Sequence, residues 1–196
     1  MYEKFGQFID GKWSPSSNNE TYEVINPATE EVLGHASKAT PADVDQALKS
    51  AEQGLKVWKK TPPWQRSYVL RKIADKLREK KDTLAKWMTL ENGKPLAEGV
   101  GETNGAADIF EWNAEETKRI FGQTIESRFE DTRVHVYYQP VGVVAALSPW
   151  NFPLILAARK ISTALAAGCS VIIKPDTITP GVVMELVDIC RECGVP

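Results

Sequence analysis

This chain has little net charge, little cysteine and no long apolar run. Lys and Arg total 24 and Asp and Glu total 26 over 196 residues, a formal net charge of −2. A surface so balanced has no field to draw nucleic acid or an anionic membrane to it non-specifically, so neither is an expected partner. No stretch approaches the ~18 apolar residues of a membrane span. The start, Met1-Tyr2-Glu3-Lys4-Phe5, lacks the basic and then apolar run of a secretion signal. The cysteines, Cys169, Cys190 and Cys193, are three, an odd number. A chain of this size removes roughly 70% of its unfolded surface from water, so it needs no disulfide or metal to fold. A reducing, cytoplasmic compartment is therefore expected, and Asn19-Glu20-Thr21 is a chance sequon. Internal repeats and low-complexity segments are missing too. What remains is an ordinary globular balance of 42% hydrophobic and 26% charged residues.

Short strands and turns are expected over residues 5–38. Phe8-Ile9 and Lys12-Trp13 flank Asp10-Gly11, a hairpin signal. Tyr22 to Ile25 forms a strand stopped by Asn26-Pro27, and Glu31 to Gly34 suggests another. Helices follow to residue 121. Thr40-Pro41-Ala42-Asp43 is a helix start: the Thr hydroxyl can satisfy an orphan N–H, Pro fits the first turn, and an acid stands three residues on. Val44, Ala47, Leu48, Ala51 and Leu55 then recur at helical spacing. After Pro62-Pro63, Leu70, Ile73, Ala74 and Leu77 share a face. A third helix carries Leu84 and Met88 and stops at Asn92-Gly93. A fourth starts after Pro95 and runs to about Phe121. Its Gly99-Val100-Gly101-Glu102-Thr103-Asn104-Gly105 is not a nucleotide loop, because the third Gly comes one residue late and no strand precedes it. Small residues in a closely packed helix are the better reading.

Gln123 to Glu130 and Arg133 to Tyr138 flank Asp131-Thr132 as a hairpin with one polar and one apolar face. From residue 141 the pattern is βαβα: Val141 to Leu147, expected to be a strand buried on both faces; a helix over Pro153 to Ala167; a strand over Ser170 to Ile173; and a helix over Pro180 to Glu192. Parallel strands in an α/β fold follow.

Ligands of open α/β sheets bind at the carboxyl ends of the strands. Ser148-Pro149-Trp150-Asn151-Phe152-Pro153 stands at the first such end. Asn151 is either a helix cap or a fixed N–H donor to a developing oxyanion. Lys174-Pro175-Asp176-Thr177 stands at the second end, where Lys174 either reaches an anionic or polyhydroxylated ligand or lies solvated before a turn.

Leu147-Ser148-Pro149-Trp150-Asn151-Phe152-Pro153, Ala164-Leu165-Ala166-Ala167-Gly168-Cys169 and Ile173-Lys174-Pro175 together resemble the NAD(P)-dependent aldehyde dehydrogenase superfamily. The resemblance extends back through Glu91-Asn92-Gly93-Lys94-Pro95 and Ile25-Asn26-Pro27-Ala28-Thr29, over essentially the whole chain. It implies three parts. Residues 1–122 would be N-terminal strands and helices of the cofactor-binding domain. Residues 123–140 would be a projecting β-arm that joins subunits into a homo-oligomer. Residues 141–196 would be the first βαβα part of a Rossmann-like NAD(P)-binding domain, with the catalytic domain absent. Asn151 resembles the oxyanion-stabilising Asn, and Lys174 the Lys that bonds the adenosine ribose. The backbone of Leu147, Ser148, Pro149 and Trp150 would line the cofactor cleft. NAD-selective members often place Glu three residues after that Lys; here stands Thr177, which would not repel a 2′-phosphate, so NADP is tolerated or preferred. Asn92 to Glu98 and Glu111 to Gly122 look most like the succinate-semialdehyde dehydrogenases. Arg159 stands where those enzymes place an Arg for the substrate carboxylate; otherwise it is a surface residue or the partner of a neighbouring acid.

The family reaction needs a Cys thiolate to attack the aldehyde and a Glu to act as general base. In the family both lie beyond residue 196. Cys169 is expected to be a small buried residue, and Cys190 and Cys193 to be incidental helix cysteines, too few for a zinc site. The chain is therefore expected to be inactive alone. The alternative is a truncated noncatalytic module that binds nucleotide or self-associates.

Overall fold

The computed structural model describes residues 2–196. Strands β1 (Gln7–Ile9) and β2 (Lys12–Ser14) pair antiparallel. Asp10 and Gly11 between them both take positive φ, 53° and 75°, which matches the twist of a two-residue hairpin. Strands β3 (Thr21–Ile25) and β4 (Val32–Ser37) form a second antiparallel pair with a bulge at Val24 and Ile25. Strand β4 runs past the expected Gly34.

Helix α1 (Pro41–Trp58) opens on a capping box: the Thr40 hydroxyl accepts from the Asp43 N–H, and the Asp43 carboxylate accepts from the Thr40 N–H. Its apolar stripe was expected to face a core. Val44 and Leu48 are instead 48% and 43% exposed, while Ala47, Ala51 and Leu55 of the same stripe are only half-buried. Trp58, at the other end, is buried and donates its indole N–H to the Leu165 carbonyl at 2.8 Å. Helices α2 (Pro63–Glu79) and α3 (Lys81–Asn92) bear out their expected faces: Leu70, Ile73, Ala74, Leu77, Leu84 and Met88 are all fully buried. Gly93 ends α3 in the left-handed conformation, φ 81°.

Helix α4 (Leu96–Thr117) stops short of Phe121. Thr117 is its last buried residue, and Ile120 and Phe121 beyond it are exposed. Gly99 lies where a Cβ would come within 3.0 Å of the Ala85 backbone, and Gly105 where one would meet Ile155 at 3.0 Å. The small residues of α4 thus let neighbouring helices approach closely.

Strands β5 (Gln123–Glu126) and β6 (Arg133–Val136) form an antiparallel hairpin, shorter than expected on both limbs and exposed along most of its length. Strands β7 (Val143–Leu147) and β8 (Ser170–Lys174) are parallel, in register from Val143 opposite Ser170 to Leu147 opposite Lys174. Helix α5 (Pro153–Ala166) follows β7, and α6 (Gly181–Glu192) follows β8. Burial of β7 on both faces does not hold. Ala146 is buried, but Ala145 and Leu147 on the opposite face are exposed, since among the described residues only one side of β7 is covered. One hydrophobic core joins α2, α3 and α4 to α5 and α6 around Phe110, Leu154, Leu186 and Ile189.

Candidate active-site edge

The carboxyl ends of β7 and β8 make one edge. The pairing continues one residue beyond the strands, where the Ser148 N–H donates to the Lys174 carbonyl at 3.1 Å. Asn151 and Lys174 therefore leave the sheet from adjacent strands on the same side of the molecule. Both are exposed.

The turn between β7 and α5 explains how Asn151 remains free. Ser148 is buried, with its hydroxyl 3.4 Å from the Pro153 carbonyl. Pro153 begins α5, and Phe152 is its N-cap, with no side-chain cap of its own. The orphan N–H groups of α5 are met from another helix. Glu102 of α4, 6% exposed, accepts from the Leu154 and Ile155 N–H groups at 2.9 and 3.1 Å. A carboxylate there satisfies the donors and opposes the positive end of the helix dipole. Asn151 is consequently not the cap of α5, and its carboxamide has no hydrogen-bond partner among the described residues.

The same carboxylate is ion-paired to Lys94, which is 8% exposed. The Lys94 ammonium also donates to the Asn151 carbonyl at 3.3 Å and lies 4.7 Å from the centre of the Phe152 ring. Asn92 donates its side-chain amide to the Trp150 carbonyl at 3.0 Å. The segment between α3 and α4 thus braces the turn that carries Asn151. None of Asn92, Lys94 and Glu102 was expected as a site residue. Glu102, the one acid between Gly99 and Gly105, was the available signal.

Helix α6 is closed in a parallel way. Glu91 of α3, fully buried, accepts from the Gly181 and Val182 N–H groups at 2.7 and 3.4 Å and from the Tyr2 hydroxyl. Burial pushes the Glu91 carboxyl up to about 7.

Lys174 has no carboxylate partner within ion-pair distance among the described residues, so its ammonium is available at the edge. In the turn beyond it, the Asp176 carboxylate accepts from the Ile178 N–H at 3.1 Å, while Thr177 is exposed. Leu147 and Trp150, expected to line a cofactor cleft, are 65% and 51% exposed on the same edge, and Pro149 is exposed with them. The edge thus presents exposed apolar side chains at the end of β7 and an unpaired ammonium at the end of β8 among the described residues. Arg159 is not brought to this turn. It lies about two turns into α5, exposed and without an ion-pair partner among the described residues.

The cysteines lie apart from the edge. Cys169 is 2% and Cys190 7% exposed. Burial drives the Cys190 thiol far above its ordinary range and raises that of Cys193. No cluster of three or more metal-ligating side chains exists among the described residues, nor is any helix among them long and apolar enough to cross a membrane.

Comparison with known proteins gives one consistent family. The profile described as "Aldehyde dehydrogenase family" matches residues 13–196. The chain is 43% identical over 189 residues to the glutarate-semialdehyde dehydrogenase of Pseudomonas putida, covering 96% of this chain and 39% of that protein. It is 42% identical over 188 residues to the NADP(+) succinate-semialdehyde dehydrogenase of Escherichia coli, again over 96% of this chain and 39% of the relative. A crystal structure described as an E. coli NADP-dependent enzyme superposes with a TM-score of 0.96 at 40% identity, covering 100% of this chain and 41% of that one. The chain thus spans about two fifths of the length of these relatives.

Proposed function

Because the chain belongs to the aldehyde dehydrogenase family, we propose that it is the N-terminal portion of an NAD(P)-dependent enzyme oxidising an aldehyde, succinate semialdehyde by preference, to the carboxylic acid. The observation that carries the reading is that the free Asn151 carboxamide and Lys174 both follow from the carboxyl ends of adjacent parallel strands. A pre-aimed amide N–H at the reacting carbonyl stabilises the oxyanion that forms when a thiolate adds to the aldehyde. Lys174, with the platform of Leu147, Ser148, Pro149 and Trp150, meets the ribose of the coenzyme, which when bound supplies the hydride acceptor. Arg159 takes the substrate's distal carboxylate.

The nucleophile is none of the three cysteines. Two are buried, and burial raises the Cys190 and Cys193 thiols, whereas a reactive Cys needs an accessible thiolate. The general base also belongs to the length that the relatives have beyond this chain. The chain alone is therefore inactive, and three free thiols suit a reducing cytosol. Thr177 supports acceptance of NADP, since a hydroxyl there offers no charge against a 2′-phosphate. Two of the three relatives above carry NADP in their names.

Two measurements test this. The gene product in the source cell has a mass more than twice 21.8 kDa and turns over succinate semialdehyde with NADP, while the 196-residue chain does not. A native product of this chain's own mass, or turnover by the chain alone that is lost on Cys169→Ala, would overturn the proposal. The former result would favour the noncatalytic module, for which the exposed β5–β6 hairpin is the association surface.

A further inference from the structure

The two peptide groups that flank Asn151 are both held by side chains from a distant part of the chain. The carbonyl before it, that of Trp150, accepts from Asn92 at 3.0 Å. Its own carbonyl accepts from Lys94 at 3.3 Å. Orienting both planes fixes the backbone dihedrals of Asn151 and with them the direction of its Cα–Cβ bond. Lys94 is in turn held by Glu102, whose other oxygen takes both N–H groups at the start of α5. A buried ammonium whose donors go to one carboxylate, one carbonyl and one ring face has little freedom to move.

We propose that Asn92 and Lys94, the latter backed by Glu102, are positioning residues that aim the Asn151 carboxamide. The inference rests on the oxyanion role of Asn151 proposed above. It assigns the α3–α4 junction a part in the reaction rate, although none of its side chains touches the reacting atoms. A displacement of about 1 Å at a reacting centre can lower a rate ~10²-fold, and loss of either anchor releases one peptide plane.

The test is a double-mutant cycle in the longer enzyme. Lys94→Met lowers kcat by ~10–100-fold and leaves the KM for coenzyme, set by Lys174, within about twofold. Asn151→Ala alone lowers kcat by ~10²–10³-fold. In the Asn151→Ala background, Lys94→Met has almost no further effect, because the group it aims is gone. Unchanged kcat in Asn151→Ala alone would end the oxyanion reading. A deficient Asn151→Ala enzyme in which Lys94→Met still takes its full effect would end only the positioning role. If Lys94→Met leaves too little folded protein, Asn92→Ala runs the same cycle, since removing that neutral amide strands no buried charge. In crystals of the longer enzyme carrying Asn92→Ala, the 150–152 turn takes a different or mixed conformation; an unmoved turn would overturn the inference.

Discussion

At the scale of single residues, the site depends on which polar groups are used up and which are left. Asn151 could have been the cap of α5, the commoner role for Asn before a helix. Glu102 occupies that role, so the carboxamide is spare. Arg159 offers a guanidinium with no acid beside it among the described residues. In the longer enzyme, Arg159→Leu should raise the KM for succinate semialdehyde by more than tenfold, roughly the effect of one charge-assisted hydrogen bond, and leave butanal almost untouched. Equal effects on both aldehydes would place the substrate carboxylate elsewhere. Thr177→Glu should shift the coenzyme preference towards NAD, read by competition between the two coenzymes.

At the scale of elements, the sequence was most informative where a local rule decides the structure. The Asp10-Gly11 turn, the Thr40 capping box, the Gly93 stop and the faces of α2 and α3 all formed as expected, because each depends on neighbours in the chain. The bracing of Asn151 was not legible. Lys94 and Glu102 read as a residue after a helix stop and a charge inside α4, and only packing of α4 on α5 brings them beneath residues 151–155. Packing of α4 on α3 separates two glycines that look alike. Gly99→Ala forces a methyl against the Ala85 backbone and should cost about 1–3 kcal/mol. Gly101, with nothing within 4 Å of its Cβ position, should gain roughly 0.5–1 kcal/mol as Ala from helix propensity. Thermal or urea denaturation of the two variants separates the signs.

The buried Glu91 adds a pH dependence at the same scale. Its carboxyl titrates near 7 when folded and near 4.5 when unfolded. Between those values the folded chain holds a proton that the unfolded chain has lost. Stability from this group therefore falls as pH rises from about 4.5 to 7, by an amount on the order of 3 kcal/mol. Glu91→Gln keeps an acceptor for the Gly181 N–H and removes the titration. Urea unfolding at pH 5 and pH 7.5 should show a flatter profile for the variant than for the parent.

At the scale of the whole molecule, apolar surface lies uncovered among the described residues, and two stretches of it bear on association. One is the face of α1 that includes Val44 and Leu48. Its residues read as core in the sequence because hydrophobic spacing records what a face is suited to cover, not whether a partner is present. The other is the β5–β6 hairpin, where Ile125 and Val134 stand opposite each other, 46% and 43% exposed. If the hairpin joins subunits, Ile125→Lys together with Val134→Lys should lower the sedimenting mass to that of a monomer. An assembly that survives both substitutions would assign self-association to the uncovered face instead.

The two inward-facing acids at the starts of α5 and α6 bear on how the proposed coenzyme would meet this part of the molecule. Helix starts are ready-made anion cradles, yet Glu102 and Glu91 already take N–H groups at both. A diphosphate approaching either would meet donors that are already in use. In the enzyme proposed above, the coenzyme would accordingly be held here by its sugar, with its phosphates turned towards other parts of the molecule. Inorganic phosphate or sulfate, even at high concentration, should protect neither helix from unfolding.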